Sequence, residues 1–205
     1  ACSGGVVLAV EEKPFSTLQD LNVAQKLFQI DEHVGAAVAG LMGDARILID
    51  QARIYAQSNR LMYDEPIDIE ILGKRVGDIA QVYTQHAGVR PFGASIIFAG
   101  IDKTGNRVFL SEPSGAYWGF KAIAIGAGAD VVKPILEKDY EGNMSLEDAT
   151  ILALYCLSKA VEGKLEPHKI KIAVVPTETK KFTMLTREEI EKYLKKLNAS
   201  KRTAE

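Results

Sequence analysis

Short apolar runs near the start of the chain predict strands. Val6–Val10 is a run of β-branched character, typical of a strand that is buried on both faces. Lys26–Ile30 and His33–Ala39 follow as two further runs, and Asp31 and Glu32 between them have the chemistry of a turn. The pattern therefore predicts an antiparallel opening to the fold.

Two amphipathic segments come next and predict two helices, Asp44–Asn59 and Ile67–Gln85. Their apolar positions recur at spacings of three and four. In the first helix these are Ala45, Leu48, Ile49, Ala52 and Ala56, and in the second Ile67, Ile71, Leu72, Val76, Ile79 and Val82. Two helices with single apolar faces need a shared surface to cover, and the neighbouring sheet provides one.

The rest of the chain repeats this order of strands followed by helices. The predicted elements are strands Ala94–Gly100 and Arg107–Leu110, two short strands within Ala116–Gly126, helices Asp130–Tyr140 and Leu146–Val161, strands Ile170–Val175 and Lys181–Leu185, and helix Thr186–Leu197. Clustered strands and clustered helices argue against a doubly wound parallel sheet. They favour an α+β fold, a four-layer αββα sandwich of antiparallel sheets flanked by helices. We expect one domain over 1–197 and a polar, disordered tail over 198–205.

Composition narrows the class of protein. A chain of 205 residues with 47% hydrophobic residues can supply a substantial core. The 25 basic and 27 acidic side chains give a net charge of −2, which offers no case for a nucleic-acid groove or an anionic membrane surface. No apolar run approaches the roughly 20 residues of a membrane span. Cys2 and Cys156 fit neither a disulfide framework nor a metal cluster, and they suit a reducing cytosol. We therefore expect a soluble cytoplasmic protein without a metal or cofactor.

One stretch, Tyr83–Gly93, has a more specific sequence pattern than the rest. It reads Tyr-Thr-Gln-His-Ala-Gly-Val-Arg-Pro-Phe-Gly and lies between an amphipathic run and an apolar one. Gly88 and Gly93 can adopt backbone angles closed to other residues, and Pro91 biases Arg90 towards an extended conformation. The stretch predicts the end of a helix, a tight connection that carries a cation, and a strand entering the core.

This wording closely resembles the signature of proteasome α-type subunits, the non-catalytic members of the N-terminal-nucleophile (Ntn) hydrolase fold. Further stretches resemble the family in the same order and at the same spacings: Gly5–Ala9, Ile30–Val34, Ala39–Arg46, Pro113–Gly115 and Ala122–Gly126. Glu112 stands where the family usually has Asp, and the compact, acid-poor loops are similar to archaeal members. The family's usual amino-terminal Tyr-Asp-Arg segment and first helix have no counterpart in this sequence. We interpret the chain as a truncated or processed subunit.

The resemblance implies a non-catalytic α-type subunit of the proteasome core particle. Such a subunit forms a heptameric outer ring that restricts substrate access, docks activators and scaffolds the β subunits. The implied partners are other α subunits, giving a homo-heptamer, proteasome β subunits, and the C-terminal tails of ATPase activators. Nucleic acid and membrane are not among them.

The first residues argue against catalysis. Hydrolysis in this fold uses a free N-terminal Thr, Ser or Cys whose α-amine serves as the base. Ala1 supplies no such nucleophile, and the resemblance places Cys2 past the nucleophile position. Two alternatives stay open from the sequence: a catalytic β-type threonine peptidase subunit, and a stand-alone Ntn amidohydrolase.

Lys26 has two interpretations. It opens an otherwise apolar strand, so it is either an edge lysine with its ammonium in water or a binding residue. The resemblance matches it to the lysine that lines the pocket between neighbouring α subunits, where activators insert a C-terminal carboxylate. Gly40 matches the glycine whose backbone N–H faces that carboxylate, and Leu41 belongs to the same predicted pocket. A compact ammonium suits this task because it meets a carboxylate without a fixed geometry.

The residues of the signature are predicted to have a structural or intersubunit role. A guanidinium beside Pro-Phe-Gly, as at Arg90, commonly ties loops together by several hydrogen bonds. The predicted set is Tyr83, Gln85, Gly88, Arg90, Pro91, Phe92 and Gly93.

Overall fold

Over the residues that the structure describes, the fold consists of two antiparallel sheets and five α-helices. The computed structural model describes residues 1–14, 16, 18–20, 26–161, 163 and 165–203, and the side chains up to residue 199. The strands are β1 Gly5–Glu11, β2 Leu27–Asp31, β3 Val34–Gly40, β4 Ala94–Asp102, β5 Gly105–Ser111, β6 Tyr117–Phe120, β7 Ile170–Pro176 and β8 Thr183–Met184. The α-helices are α1 Met42–Tyr63, α2 Ile69–Gln85, α3 Ala129–Asp139, α4 Leu146–Ala160 and α5 Arg187–Thr203, and Pro167–Lys169 is a 3₁₀ turn.

The strands divide into a five-stranded sheet in the order β2-β3-β4-β5-β6 and a three-stranded sheet in the order β1-β7-β8. Every pair within the two sheets is antiparallel. The smaller sheet joins distant parts of the chain, because β1 pairs with β7 along its whole length, from Gly5 opposite Pro176 to Glu11 opposite Ile170.

Three apolar clusters hold the layers together. The first lies between the five-stranded sheet and the helices α1 and α2, with Phe98 of β4 at its centre. The second lies between the two sheets and includes Leu8 and Ile97, and the third joins the three-stranded sheet to α4 and α5 through Ile172 and Leu154. Helices, sheet, sheet and helices therefore form the four layers predicted from the sequence, and the predicted fold class is confirmed.

The apolar faces of α1 and α2 agree with the pattern to different degrees. All five predicted apolar positions of α1 are buried. In α2, however, Ile71 and Val82 are exposed, and the buried face is centred on Gly73 and Gly77. Gly77 allows a close approach to the turn between β5 and β6, because a Cβ there would lie 2.7 Å from the carbonyl oxygen of Gly115, and Gly73 faces the Phe109 side chain of β5. The helix turns its glycine face inwards, which places some apolar side chains outside.

Several predicted boundaries are wrong. The segment 116–126 contains one strand, β6, and not two. Ile123 and Ile125 pack against the cluster between the sheets, so the apolar character of this segment reflects packing and not strand pairing. The last strand is only two residues long, and α5 continues past Leu197 to Thr203, into the segment predicted to be a tail. The single-domain assignment stays a prediction.

Predicted helix starts are confirmed where a side chain caps the backbone. Ser145 accepts a hydrogen bond from the backbone N–H of Asp148 at 3.0 Å. Thr186 and Glu189 form a capping box, with Thr186 N–H donating to Glu189 Oε2 at 2.8 Å and Glu189 N–H donating to Thr186 Oγ1 at 3.3 Å. None of the helices in the described part of the chain is long and apolar enough to cross a membrane.

Candidate functional site

The signature stretch is anchored on a carboxylate at the start of α1. Asp44 accepts hydrogen bonds from Arg90 Nη1 at 2.6 Å and from Arg90 Nη2 at 2.8 Å, one on each oxygen. The backbone N–H of Gly93 also donates to Asp44, at 2.8 Å. A guanidinium held by two parallel bonds fixes direction as well as charge, so the pair sets the geometry of the connection between α2 and β4.

These contacts shift the titration of both partners. The hydrogen bonds from Arg90 and from the Gly93 N–H hold the pKa of the Asp44 carboxyl below its ordinary value, against the opposing effect of burial. The same carboxylate raises the pKa of Arg90 above its ordinary value. Asp44 is therefore ionised at neutral pH. The pair of Arg90 and Asp44, called the clamp below, has a full charge on each partner.

Gly93 links this clamp to the start of α1. Its carbonyl oxygen accepts a hydrogen bond from the backbone N–H of Leu41 at 2.8 Å, just beyond the last pair of the β3–β4 ladder, Gly40 with Ala94. Gly40 has φ +112°, and a Cβ there would lie 2.2 Å from the Gly93 oxygen. Only glycine fits this position without strain. The Leu41 side chain lies against Gly93, where an added Cβ would come within 2.7 Å of Leu41 Cδ1.

The other signature residues support the connection. Tyr83 on α2 stacks on the buried Phe92 with ring centroids 4.8 Å apart and an angle of 59° between the rings. Gln85 is the exposed last residue of α2, and Gly88 follows in the turn with φ +82°. Pro91 is exposed, and its carbonyl oxygen accepts a further bond from Arg90 Nη1 at 3.0 Å.

Lys26 lies one residue before β2 and is half-buried. Its Nζ donates to the carbonyl oxygen of Glu11 at 2.7 Å, and its backbone N–H donates to Glu12 Oε1 at 3.2 Å. The carbonyl of Lys26 accepts the N–H of Val38 at 2.9 Å. Because N–H directions alternate along a strand, the N–H of Gly40 points to the same edge of β3 as that of Val38. The Gly40 amide is therefore directed to the edge of β3 that pairs with Lys26 and β2.

Lys26 and Gly40 also line a common cavity. It has a volume of about 490 Å³ and lies between the sheets and the helices α3 and α4. Most of its lining is aliphatic, and its charged members among the described residues are Glu11, Lys13 and Lys26. Leu41 is absent from this lining, and its half-exposed side chain lies outside. The cavity thus combines an apolar wall with a fixed cation, an arrangement that suits the carboxyl end of a peptide.

The sequence predicted the Lys26–Gly40–Leu41 set and the signature as separate sites, but in the structure Gly40 and Leu41 both contact Gly93 of the signature. The prediction missed Asp44, which joins them. The available signal was an acidic residue in the first turn of the helix that follows Gly40 and Leu41, together with the isolated Arg90. Neither residue forms an ion pair within its own segment, and each therefore needs an oppositely charged partner elsewhere in the chain.

The cysteines do not form a reactive centre. Burial raises the pKa of the Cys156 thiol to about 11, which keeps it protonated at neutral pH. Cys2 is buried, and its thiol donates to the carbonyl oxygen of Gly5 at 3.5 Å. Over the described residues, no group of three or more His, Cys, Asp and Glu side chains could hold a metal ion.

A row of apolar side chains on α1 faces solvent. Its members are Ile47, Ile54 and Leu61, which are spaced seven residues apart, and Leu61 is 88% exposed. Extended exposed apolar surface of this kind is typical of an interface between proteins. The row lies on the outer side of the α1–α2 layer, away from the cavity lined by Lys26.

Comparisons with known proteins all match this chain to one protein family. The sequence model of the family described as "Proteasome subunit" matches residues 1–175. The "Proteasome subunit alpha" of Methanosarcina acetivorans is 45% identical over 193 residues, which cover 94% of this chain and 78% of that protein. The proteins of the same name from Methanocaldococcus jannaschii and Methanococcus vannielii are 46% and 47% identical, and each match covers 96% of this chain and 75% of the relative.

Proposed function

Because the chain belongs to the proteasome subunit family, as a non-catalytic α-type member, we propose that seven copies form the outer ring of a core particle. The ring restricts substrate access to the chamber and scaffolds the β subunits. The observation that carries this function is the 45–47% identity to archaeal α subunits over most of the chain. The assignment to the α-type subunits excludes the two enzyme alternatives, the β-type peptidase and the stand-alone amidohydrolase.

Assembly has a physical basis in the exposed apolar row on α1. A subunit that associates with other proteasome subunits buries such surface, which is costly to leave in water. A closed cyclic ring uses one heterologous contact repeated around the axis.

We expect the purified chain to run in native mass spectrometry as a species of about seven times the 22.4 kDa chain mass. The measurement is repeated with co-expressed β subunits, because the two rings stabilise each other by mass action. A chain that stays strictly monomeric at high concentration, with β subunits present, would contradict the ring assignment.

We further propose that Lys26 and Gly40 dock the C-terminal carboxylate of an activator. The supporting observations are that both residues line the same cavity and that the Gly40 N–H is directed to the edge of β3 that pairs with Lys26. The Lys26 ammonium uses one hydrogen on Glu11 and has further hydrogens to donate. The apolar wall beside them suits the last side chains of a peptide.

Lys26→Ala should weaken binding of an activator's C-terminal peptide to assembled rings at least tenfold. Removing one partner of an enclosed charge pair costs about 2–5 kcal/mol, which corresponds to this loss or a larger one. The fold should change little, because the long side chain contributes little to the core. Binding is measured by fluorescence anisotropy of the labelled peptide.

Two controls sharpen this test. Lys171→Ala removes a half-buried lysine from β7 that does not line the cavity, and it should leave the affinity unchanged. The same peptide with an amidated C-terminus should bind weakly to wild-type rings, since it lacks the charge that Lys26 meets. Equal affinities of wild-type and Lys26→Ala rings, or indifference to amidation, would return Lys26 to the interpretation of an edge lysine.

A further inference from the structure

We propose that Arg90 and Asp44 position the Gly40 amide for the docking of the carboxylate, without touching the ligand themselves. This inference rests on the docking function proposed for Lys26 and Gly40. It assigns to the signature stretch a role in ligand affinity, in addition to its structural role in the connection between α2 and β4. Arg90 and Asp44 are positioning residues in this scheme.

A continuous chain of hydrogen bonds carries the effect. Arg90 donates a hydrogen bond to each oxygen of Asp44, at 2.6 and 2.8 Å, and Asp44 accepts another from the Gly93 N–H at 2.8 Å. On its other side, the Gly93 carbonyl accepts the Leu41 N–H at 2.8 Å. Gly93 is therefore fixed through both of its backbone polar groups, one towards the clamp and one towards the predicted pocket.

Gly40 has no freedom to move independently of Gly93. Its Cα lies so close to the Gly93 carbonyl that an added Cβ would come within 2.2 Å of the oxygen. Because this contact is made at the Gly40 Cα, a displacement of Gly93 also reaches the Ala39–Gly40 peptide, which carries the Gly40 N–H. A docking amide misplaced by a few tenths of an ångström makes a poorer hydrogen bond to a carboxylate, because hydrogen bonds weaken steeply with distance and angle.

The shared oxygen explains why an arginine is needed. Asp44 Oδ2 accepts both Arg90 Nη1 and the Gly93 N–H, so the orientation of the carboxylate decides whether Gly93 is held. Two parallel bonds from a planar guanidinium fix that orientation, and a third bond to the Pro91 carbonyl fixes the guanidinium itself. A lysine supplies a point charge and leaves the carboxylate free to rotate.

The clamp is well placed to affect binding more than folding. Asp44 is buried, but the Arg90 side chain is 63% exposed, so the loss of this pair costs less than the loss of a pair buried on both sides. The surrounding structure has other supports, namely the β3–β4 ladder and the stacking of Tyr83 on Phe92. Loss of the clamp should therefore loosen the connection locally.

The experiment compares Arg90→Ala, Arg90→Lys and Asp44→Asn in assembled rings, with Arg46→Ala as the matched control. Arg46 is an exposed arginine in the same first turns of α1 and takes no part in the clamp. Each clamp variant should weaken binding of the free-carboxylate peptide about fivefold, the effect of one impaired hydrogen bond. The melting temperature should stay within about 3 °C of wild type.

The amidated peptide separates positioning from a general structural loss. If the clamp acts through the Gly40 amide, the variants weaken the free-carboxylate peptide more than the amidated peptide, because a hydrogen bond to a charged carboxylate is stronger than one to a neutral amide. Hydrogen exchange followed by mass spectrometry should also show faster exchange in the segment 40–44 of each variant. Arg90→Lys is the mildest change, and it keeps the test valid if Arg90→Ala rings fail to assemble.

The outcomes distinguish this inference from the docking function. If Lys26→Ala weakens binding while Arg90→Lys and Asp44→Asn rings bind as wild type, docking stands and the positioning role is overturned. Equal weakening of both peptides overturns it as well, because the effect is then not exerted on the carboxylate. If Lys26→Ala and amidation also have no effect, the docking site itself is overturned, and the positioning role with it.

Discussion

Replacing Phe98 by alanine should lower the free energy of unfolding by about 3–5 kcal/mol, the usual cost of truncating a fully buried phenylalanine. Phe98 lies at the centre of β4 with 0% of its surface exposed, between the five-stranded sheet and the helices α1 and α2. The loss combines the transfer free energy of the ring with the cavity that the packed neighbours cannot fill. Urea unfolding followed by circular dichroism measures it, at a fixed protein concentration because association adds to apparent stability.

Phe120→Ala is the matched control for this change. Phe120 lies on the edge strand β6 with 39% of its surface exposed, so the same truncation should cost about 1 kcal/mol or less. Losses of similar size in the two variants would show that the layer between the sheet and the helices α1 and α2 is not the main core.

Asp31→Ala should lower the free energy of unfolding by about 3 kcal/mol. The buried carboxylate at the end of β2 accepts Arg60 Nε at 2.8 Å and the Glu32 N–H at 2.7 Å. Breaking a buried pair leaves an uncompensated charge, and we expect the low end of its usual cost because the Arg60 side chain keeps 34% exposure to water. Asp50→Ala is the control, since its pair with Arg53 is half-exposed on both sides and should contribute less than about 1 kcal/mol.

The pH dependence of the difference in free energy of unfolding between wild type and Asp31→Ala gives a second measurement. Burial acts to raise the pKa of Asp31, but the hydrogen bonds from Arg60 and from the Glu32 N–H outweigh it and hold the pKa below the ordinary 3.8. A pKa that is lower in the folded state means that the carboxylate stabilises the fold above pH 3.8 and loses this effect as the pH falls through the lower folded value. The difference between wild type and Asp31→Ala should therefore shrink in acid. A difference that grows below pH 3.8 would contradict this sign.

The sequence predicted elements well where packing follows periodicity. The buried positions of α1 come directly from their spacing, because that helix covers the sheet with one uninterrupted apolar stripe. For α2 the pattern was a poorer guide, since Gly73 and Gly77 carry no side chain that a hydrophobic pattern can register. Gly77 closely approaches the Gly115 backbone and Gly73 faces the Phe109 side chain, and both contacts exist only in the assembled layers.

The candidate site shows the same limit. Gly40 and Arg90 could be named from the resemblance, because each stands within a recognisable stretch, and Lys26 could be matched as the residue that opens an apolar strand. The role of Asp44 could not, since its bond to Arg90 spans 46 positions and depends on how α1 meets the end of α2. A link of this kind is a property of the tertiary fold, and no local window of sequence contains it.

The pairing of β1 with β7 constrains how the protein is made. Gly5–Glu11 leaves the ribosome before its partner Ile170–Pro176, which is translated more than 150 residues later. Until then the first strand carries an unpaired, β-branched edge, which is a hazard for aggregation in the cell. The five-stranded sheet can close earlier, because its strands all lie between Leu27 and Phe120. During synthesis the larger sheet can thus be complete before the smaller sheet, whose strands β7 and β8 are translated late. Among the strands, β1 is the one that stays unpaired, and therefore accessible to chaperones, for the longest time.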